Sequence, residues 1–214
     1  MRSAWLDELA RLFQERRAAF NALDQRTGDG DLGTNLAGGT ATAALRARTP
    51  EPALADDLAA VAGAFLDDVG GSSGPLFGLL FQRIATALTA PGEGAESERL
   101  AEGLRAGLDA VSRVGGAEPG DRTLLDALHP AAFDGGAPRA RFDEAAVRAA
   151  LAGAAATRDL VARRGRASYL GERVLGFPDP GAVALAAVLL ALLERHDGVT
   201  RPALQAELAE LTRS

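Results

Sequence analysis

Apolar residues recur every three or four positions along most of this 214-residue chain, and no stretch shows sustained alternation of apolar and polar residues. That interval matches the turn of an α-helix, whereas a strand with one buried face alternates. Residues 4–21 illustrate the pattern, with Trp5, Leu9, Leu12 and Phe20 among the apolar positions. The chain is therefore predicted to be all-α.

Loops containing glycine or proline divide this pattern into nine predicted helices. They cover residues 4–21, 34–47, 52–69, a segment beginning near 75, 97–114, 123–133, 143–164, a segment beginning at 180, and 202–211. Aromatic residues make up only 5% of the chain and glycine totals 25, so the helices are expected to pack closely through small side chains and leucine rather than through large rings. No repeat or low-complexity linker is present, and residues 1–214 are predicted to form a single domain.

The charge and hydropathy of the chain disfavour two classes of partner. The net charge is −6 with no cluster of basic residues, which argues against nucleic acid and against an anionic membrane. The longest apolar run, residues 181–193, is shorter than the ~20 residues of a membrane-spanning helix. Asp7 and Glu8 precede any apolar run, so no signal peptide is expected, and a soluble cytoplasmic protein is predicted.

Two residue types are missing altogether. The chain has no cysteine, which excludes a disulfide framework, a thiolate metal site and a cysteine nucleophile. All 23 basic residues are arginines, so a Schiff-base lysine and the lysine of a Walker A loop are excluded as well. Any phosphate group must be held by backbone amides, arginines, hydroxyls or metal ions.

Three aspartates lie close together between the first two predicted helices. Asp24, Asp29 and Asp31 fall within eight residues, with glycines between them that let the backbone curl. Carboxylate oxygens are the ligands that Mg²⁺ prefers, so the segment is a candidate metal site. The alternative is a solvated turn that caps the second helix. A calcium loop fits poorly, because Gly33 stands where such a loop needs an oxygen ligand and Thr40 stands where it needs a bidentate Glu.

A second loop, Gly-Gly-Ser-Ser-Gly-Pro at residues 70–75, precedes the fourth predicted helix. Backbone N–H groups at a helix N-terminus favour an anion, so this loop is a candidate phosphate site, the alternative being a tight turn between packed helices. Arg166 and Arg173 are candidate phosphate partners or surface ion-pair residues.

Three further residues have structural interpretations. Asp179 precedes Pro180 and is interpreted first as the N-cap of the eighth helix. His129 and His196 lie near helix ends and are interpreted as structural or solvated residues.

Four loops together resemble one family, the ADP-binding L subunit of bacterial dihydroxyacetone kinase, which is related to the C-terminal domain of ATP-dependent dihydroxyacetone kinases. The resemblance runs in order from Asn21 to Leu193. Besides the aspartate loop, it rests on the segments GGSSGPLFG, AEPGDRTLLDALHP and GRASYLGERVLGFPDPGA.

The resemblance implies a fold and a set of ligands. It implies a closed barrel of about eight antiparallel helices, with the nucleotide, ADP or ATP, bound among loops at one end. Asp24, Asp29 and Asp31 are implied to hold two Mg²⁺ ions that bridge the nucleotide phosphates. Residues implied to contact the phosphates and the nearby nucleotide are Leu32, Gly33, Thr34, Asn35, Ser72 and Ser73. Residues implied to surround the rest of the nucleotide are Gly115, Leu124, Arg166, Asp179, Pro180 and Gly181.

The resemblance also implies a division of labour between subunits. The chain would pass the terminal phosphoryl group to dihydroxyacetone held on a separate K subunit, and a phosphohistidine protein of the M-subunit type would recharge bound ADP. The length matches a stand-alone subunit without the K domain. L subunits of this family can also engage a transcription regulator, and a homodimer is compatible with the resemblance.

Two positions depart from the family pattern. Leu32 stands where the family commonly has His or Cys, and Ala184 stands where a serine is often found. Leu32 removes a polar contact near the phosphates. Two alternatives therefore stay open: a nucleotide-sensing or regulatory module without catalysis, and a kinase subunit for another small ketose or polyol.

Overall fold

A computed structural model describes residues 3–47 and 52–213, and it confirms the all-α prediction. Nine α-helices lie in the described residues: α1 Ala4–Gln25, α2 Leu32–Arg46, α3 Leu54–Asp68, α4 Ser73–Thr89, α5 Glu96–Gly115, α6 Leu125–Ala132, α7 Glu144–Ala156, α8 Pro180–Asp197 and α9 Pro202–Arg213. Two 3₁₀ segments, Thr157–Asp159 and Arg166–Val174, lie between α7 and α8. The second helix, predicted to end at residue 47, ends at Arg46, while Thr49 and Pro50, before which it was expected to stop, lie outside the described residues.

The sequence prediction was wrong at three places. The seventh helix, predicted to reach residue 164, ends at Ala156, because the Thr157 hydroxyl turns back to the carbonyl oxygen of Ala154 (2.6 Å) and accepts the N–H of Asp179 (2.7 Å). The predicted loop at 134–138 contains a short antiparallel pair, β1 Phe133–Asp134 and β2 Ala137–Pro138. The first helix extends four residues beyond its predicted end, to Gln25.

Consecutive helices from α1 to α8 pack against one another, and α8 also contacts α1 and α6. The side chains of α8 are buried on nearly all sides, which explains why residues 181–193 are apolar without a polar face. The last helix, α9, packs on α1, α7 and α8 through buried leucines. The part of the chain that the structure describes contains no helix with the length and hydropathy for crossing a membrane.

Glycines lie where neighbouring helices approach most closely. A Cβ added to Gly33 would overlap the Arg17 carbonyl oxygen of α1, and one added to Gly153 would overlap the Asp126 carbonyl oxygen of α6. The crossings α2–α3, α3–α4 and α4–α5 place Gly39, Gly78 and Gly107 against side chains of the neighbouring helix. The expected close packing through small residues is therefore confirmed. The expectation that large rings would not take part is wrong, because phenylalanines such as Phe65, Phe77 and Phe81 fill the core together with leucine.

Candidate functional site

Four alternate connections of the fold line one pocket of about 420 Å³. They are the α1–α2, α3–α4, α5–α6 and α7–α8 connections, together with the helix ends that flank them. This volume falls in the range of small-molecule and cofactor sites, roughly 300–1,000 Å³. Thirteen of the predicted site residues line it: Asp24, Asp29, Asp31, Leu32, Asn35, Ser72, Ser73, Gly115, Leu124, Arg166, Asp179, Pro180 and Gly181.

The three aspartates converge at this pocket. Each places a carboxylate oxygen within 4.8 Å of the others. Asp24 lies in the last turn of α1, and its Oδ2 accepts the N–H groups of Gly30 (2.9 Å), Asp31 (3.0 Å) and Leu32 (3.2 Å). The loop is therefore wrapped around one carboxylate, which the protein itself holds in place.

Two glycines let this loop close. Gly30 has φ = 81°, a backbone conformation that side-chain-bearing residues rarely adopt. Gly28 is required for a different reason, since a Cβ there would overlap Oδ1 of Asp24. At the end of the loop, Asp31 is the residue preceding α2, and its Oδ1 accepts the side-chain N–H of Asn35 (2.9 Å) instead of capping the helix. The interpretation of the loop as a simple capping turn is therefore wrong for Asp31.

Arg166 lines the pocket beside this cluster. Its guanidinium forms an ion pair with the Asp29 carboxylate, although both side chains are partly exposed. It also lies near the second loop, because a Cβ on Gly71 would be 3.9 Å from Nη2 of Arg166. One arginine therefore joins the acidic loop to the serine loop.

The N-terminus of α4 supplies a different kind of polar surface. Ser72 precedes this 17-residue helix, and its side chain makes no capping hydrogen bond. The Ser73 hydroxyl donates to the carbonyl oxygen of Gly70 (3.3 Å) and so does not cap the helix either. The first N–H groups of a helix carry a partial positive charge, so this end of the pocket suits an anion.

The opposite wall of the pocket is largely apolar. It consists of side chains from α4, α5 and the start of α6 and α8, namely Leu76, Phe77, Val111, Val114, Leu124, Leu125 and Pro180. A pocket with charged groups at one side and an apolar wall at the other suits a ligand that has an anionic part and a flat or apolar part.

Asp179 lies at the base of the pocket and caps α8 by accepting the N–H of Ala182 (2.8 Å). Burial raises the pKa of this carboxyl to about 6, although the bond from Ala182 and the charge of Arg122 act in the opposite direction. The sequence interpretation of Asp179 as an N-cap is confirmed.

A protein-family model described as the DAK2 domain matches residues 26–194. The chain belongs to the DAK2 domain family. The match begins two residues after Asp24, so the helix that supplies this carboxylate lies outside the matched DAK2 segment.

Individual relatives contain this DAK2 domain alone or within longer chains. The chain is 35% identical over 191 residues to PEP-dependent dihydroxyacetone kinase 1, ADP-binding subunit DhaL, of Listeria innocua, and the alignment covers 89% of this chain and 93% of that subunit. It is 37% identical over 206 residues to L-erythrulose 1-kinase of Mycolicibacterium smegmatis, covering 89% of this chain and 34% of that kinase.

A solved structure shares this fold. The dihydroxyacetone kinase from C. freundii, in complex with AMP-PNP and Mg²⁺, superimposes with a TM-score of 0.63 and 30% identity. The match covers 91% of this chain and 35% of that kinase. The chain thus spans most of the Listeria subunit but only about a third of the two longer kinases.

Some residues that the sequence analysis assigned to the site lie away from the pocket. Gly33 and Thr34 do not line it; Gly33 packs on α1, and the backbone N–H of Thr34 donates to Oδ1 of Asn21 (3.0 Å). Arg173 does not line it either. His129 stacks on Phe133 and His196 contacts Glu96, in agreement with their structural interpretation.

Other pocket residues were not singled out from the sequence. Thr27, Arg122, Thr123 and Arg164 line the pocket, as does much of the apolar wall. The wall residues belong to the periodic apolar pattern of α4 and α5, and nothing in that pattern distinguishes a pocket wall from a core face. The buried Arg122 could have been suspected only from its place inside a Gly-rich loop.

Proposed function

We propose that this chain is the nucleotide-binding subunit of a dihydroxyacetone kinase, which holds ADP or ATP with Mg²⁺ and passes the terminal phosphoryl group to dihydroxyacetone on a separate subunit. The observation that carries the proposal is the convergence of three carboxylates, one arginine and a helix N-terminus at one pocket. The 35% identity to an ADP-binding subunit over 93% of its length supports the same function.

The donor set fits Mg²⁺. Two oxygens bound to one Mg²⁺ ion lie at most about 4.2 Å apart, so oxygens within 4.8 Å of one another need only small side-chain movements. We assign Asp24, Asp29 and Asp31 as the ligands, and two ions as the complement. Bound Mg²⁺ would neutralise phosphate charge, which is the main requirement of phosphoryl transfer. Asp29 would exchange its ion pair with Arg166 for the metal, and Arg166 would become available to the phosphates.

The polarity of each pocket wall indicates which part of the nucleotide it would bind. Ser72, Ser73 and the first N–H groups of α4 would bind phosphate oxygens, together with Asn35 and the backbone at Leu32. Gly115, Leu124 and residues 179–181 would hold the base and ribose against the apolar wall. Gly33 and Thr34 keep their assignment only as residues that fix the start of α2 on α1.

The acceptor is assigned to another subunit. No histidine lies among the described residues of the pocket, and the chain has no lysine or cysteine that could hold a ketose covalently. The pocket therefore supplies charge neutralisation and positioning, while the ketose would be bound by a K-type subunit and ADP recharged by a phosphohistidine protein.

We also propose that the eight helices α1 to α8 close into one barrel and that the chain is a single domain. Each helix packs on the next, and contacts between α8 and α1 complete the series. In an up-and-down array, alternate connections lie at the same end. The four connections that line the pocket are alternate ones, as this arrangement requires.

Binding of Mg·ADP tests the proposal. Calorimetric titration and thermal unfolding should show binding that EDTA abolishes, with a rise in melting temperature as ligand linkage requires. Asp31→Asn should weaken Mg·ADP binding at least tenfold. The control Asp67→Asn changes an exposed carboxylate on α3 whose one ion pair among the described residues, with Arg46, has a distance of 3.9 Å, and it should bind like the parent chain. If the parent chain carries no ADP and gains no stability from Mg·ADP, the proposal is wrong.

A different acceptor is the second candidate, favoured by the 37% identity to L-erythrulose 1-kinase. Reconstitution with a K-type subunit and a phosphohistidine donor, followed by assay on dihydroxyacetone and both erythrulose enantiomers, separates the candidates. Nucleotide binding without transfer to any ketose would instead support a regulatory module. The loss of the polar contact at Leu32 would then be a candidate cause of the missing transfer.

A further inference from the structure

Arg122 is the most unusual residue of the pocket. It has φ = 62°, the one positive value outside glycine in the described chain, and its side chain is only 1% exposed. Burial lowers the pKa of its guanidinium, and Nε and Nη1 have no hydrogen-bond partner among the described residues. A left-handed backbone, a buried cation and unpaired donors are each unfavourable, so a function is expected to maintain them together.

The hydrogen bonds that Arg122 does make lead to one segment. Its Nη2 donates to the carbonyl oxygens of Val174 (3.2 Å) and Phe177 (2.7 Å). Both lie at the end of residues 158–177, hereafter called the arm, which connects α7 to α8. The base of the arm is closed by a bond from the Gly176 N–H to the Arg158 carbonyl oxygen (2.8 Å).

The arm packs as a unit separate from the main core. Ala162, Ala167 and Val174 form their own small buried cluster, with Leu170 against it. Attachments to the rest of the molecule are therefore needed to fix the position of the arm, because these four side chains are used within it. The ring of Phe177 provides one such attachment, with the guanidinium of Arg26 4.6 Å from the ring centroid.

The residue preceding Arg122 holds the other end of the arm. The Asp121 carbonyl oxygen accepts the N–H of Arg163 (3.1 Å). The Asp121 carboxylate lies 3.8 Å from Arg163 and 3.7 Å from Arg164. Two consecutive residues thus hold the arm near its beginning and near its end.

We propose that Arg122 is a positioning residue, which fixes the arm so that Arg166 lies against the aspartate cluster of the pocket. Arg166 is carried by the arm and pairs with Asp29, whereas Arg122 contributes no donor to the pocket opening because Nε and Nη1 are buried. The inference rests on the proposed function only in assigning Arg166 to the nucleotide phosphates.

Limited proteolysis tests the attachment without any ligand. Trypsin cleaves after arginine, and Arg163, Arg164 and Arg166 on the arm have side chains 74%, 57% and 56% exposed. Arg122→Gln should raise the cleavage rate at these sites at least tenfold in the folded protein, and Arg122→Lys, which keeps a cationic donor, should restore part of the protection. The control Arg141→Gln removes an arginine that is 71% exposed and should leave the rate unchanged.

Two results would overturn the attachment. One is cleavage of the arm at the parental rate in folded Arg122→Gln. If Arg122→Gln does not fold, Arg122→Lys and Asp121→Asn take its place. Cleavage of the arm at the parental rate in both of these variants would then overturn the attachment.

A double-mutant cycle tests whether Arg122 acts through Arg166. If it does, Arg122→Gln and Arg166→Ala should each weaken Mg·ADP binding, and the double variant should bind no more weakly than Arg166→Ala. Independent effects that multiply would contradict the inference. If the parent chain does not bind Mg·ADP, the proposed function fails, while the proteolysis result still decides the role of Arg122 in holding the arm.

Discussion

The carboxylate of Asp24 combines a structural and a ligand-binding position. Three backbone N–H groups converge on Oδ2, so the loop between α1 and α2 is ordered by the protein alone. Replacement of Asp24 would therefore remove both the shape of the loop and a proposed ligand, which is why Asp31 is the better residue for testing metal binding.

The half-buried Asp179 predicts an unusual dependence of stability on pH. Its pKa is about 6 in the folded chain and about 3.9 when unfolded. Between these values the folded chain binds the proton and the unfolded chain does not, so the free energy of unfolding falls as pH rises through this window. Below about pH 4 the penalty is absent, and above about pH 6 it is complete.

Asp179→Asn should remove this penalty, because asparagine caps a helix as well as aspartate but carries no charge. We expect the variant to be more stable than the parent by on the order of 1–3 kcal/mol at pH 8, and by about half as much at pH 5, the middle of the window. Urea unfolding at the two pH values, with EDTA present, measures the difference. A stability gap that is equal at both would show that burial of the charge is not its cause.

At the scale of residues, the sequence predicted the polar half of the site better than the apolar half. Residue type made Asp29, Asp31 and Arg166 candidates, with a solvated turn or a surface ion pair as the alternatives, and the family resemblance favoured the site. Arg122 was not singled out, because its burial depends on an arm whose position is set by tertiary contacts. Leu32 lines the pocket and is 8% exposed, so the substitution from the family's polar residue extends the apolar core toward the acidic loop.

At the scale of helices, close approach depends on residues without side chains. In α2, Gly33 faces α1, where an added Cβ would overlap the Arg17 carbonyl oxygen and lie 2.8 Å from Oδ1 of Asn21. On the same helix, an added Cβ at Gly38 would meet no atom within 4 Å.

Alanine at these two positions should have opposite effects. Gly33→Ala should destabilise the chain by about 1–3 kcal/mol, because backbone atoms cannot move aside as a flexible side chain can. Gly38→Ala should stabilise it by about 0.5–1 kcal/mol through the higher helix propensity of alanine. Denaturant unfolding of both variants measures the difference, and equal changes would contradict the close packing of α1 and α2.

Helix number was predictable from the sequence and the end of α7 was not. Periodicity and glycine punctuation locate all nine helices of the described residues, because each has an apolar face against the core. Residues 157–164 continue to read as helical locally, but Thr157 bonds to Ala154 and to Asp179, which is 22 residues further along. A contact of that kind is not visible in a local pattern.

At the scale of the whole molecule, α8 is the central element, since it contacts α1, α6, α7 and α9. Loss of α8 would leave those helices without a shared core. We therefore predict one cooperative thermal transition, with calorimetric and van't Hoff enthalpies in agreement. Differential scanning calorimetry of the full chain, without ligand, is the measurement. Two resolved transitions would contradict the proposal of a single domain.

The glycines at the helix crossings have an evolutionary consequence. Substitutions in the pocket or in a partner protein can change which substrate is used. A side chain gained at Gly33 or Gly153 would instead push two helices apart, whatever the ligand is. Descendants of this chain that acquire new acceptors, or lose catalysis, should therefore retain these glycines longer than the aspartates. The residues retained longest in related chains would then be ones that contact no ligand.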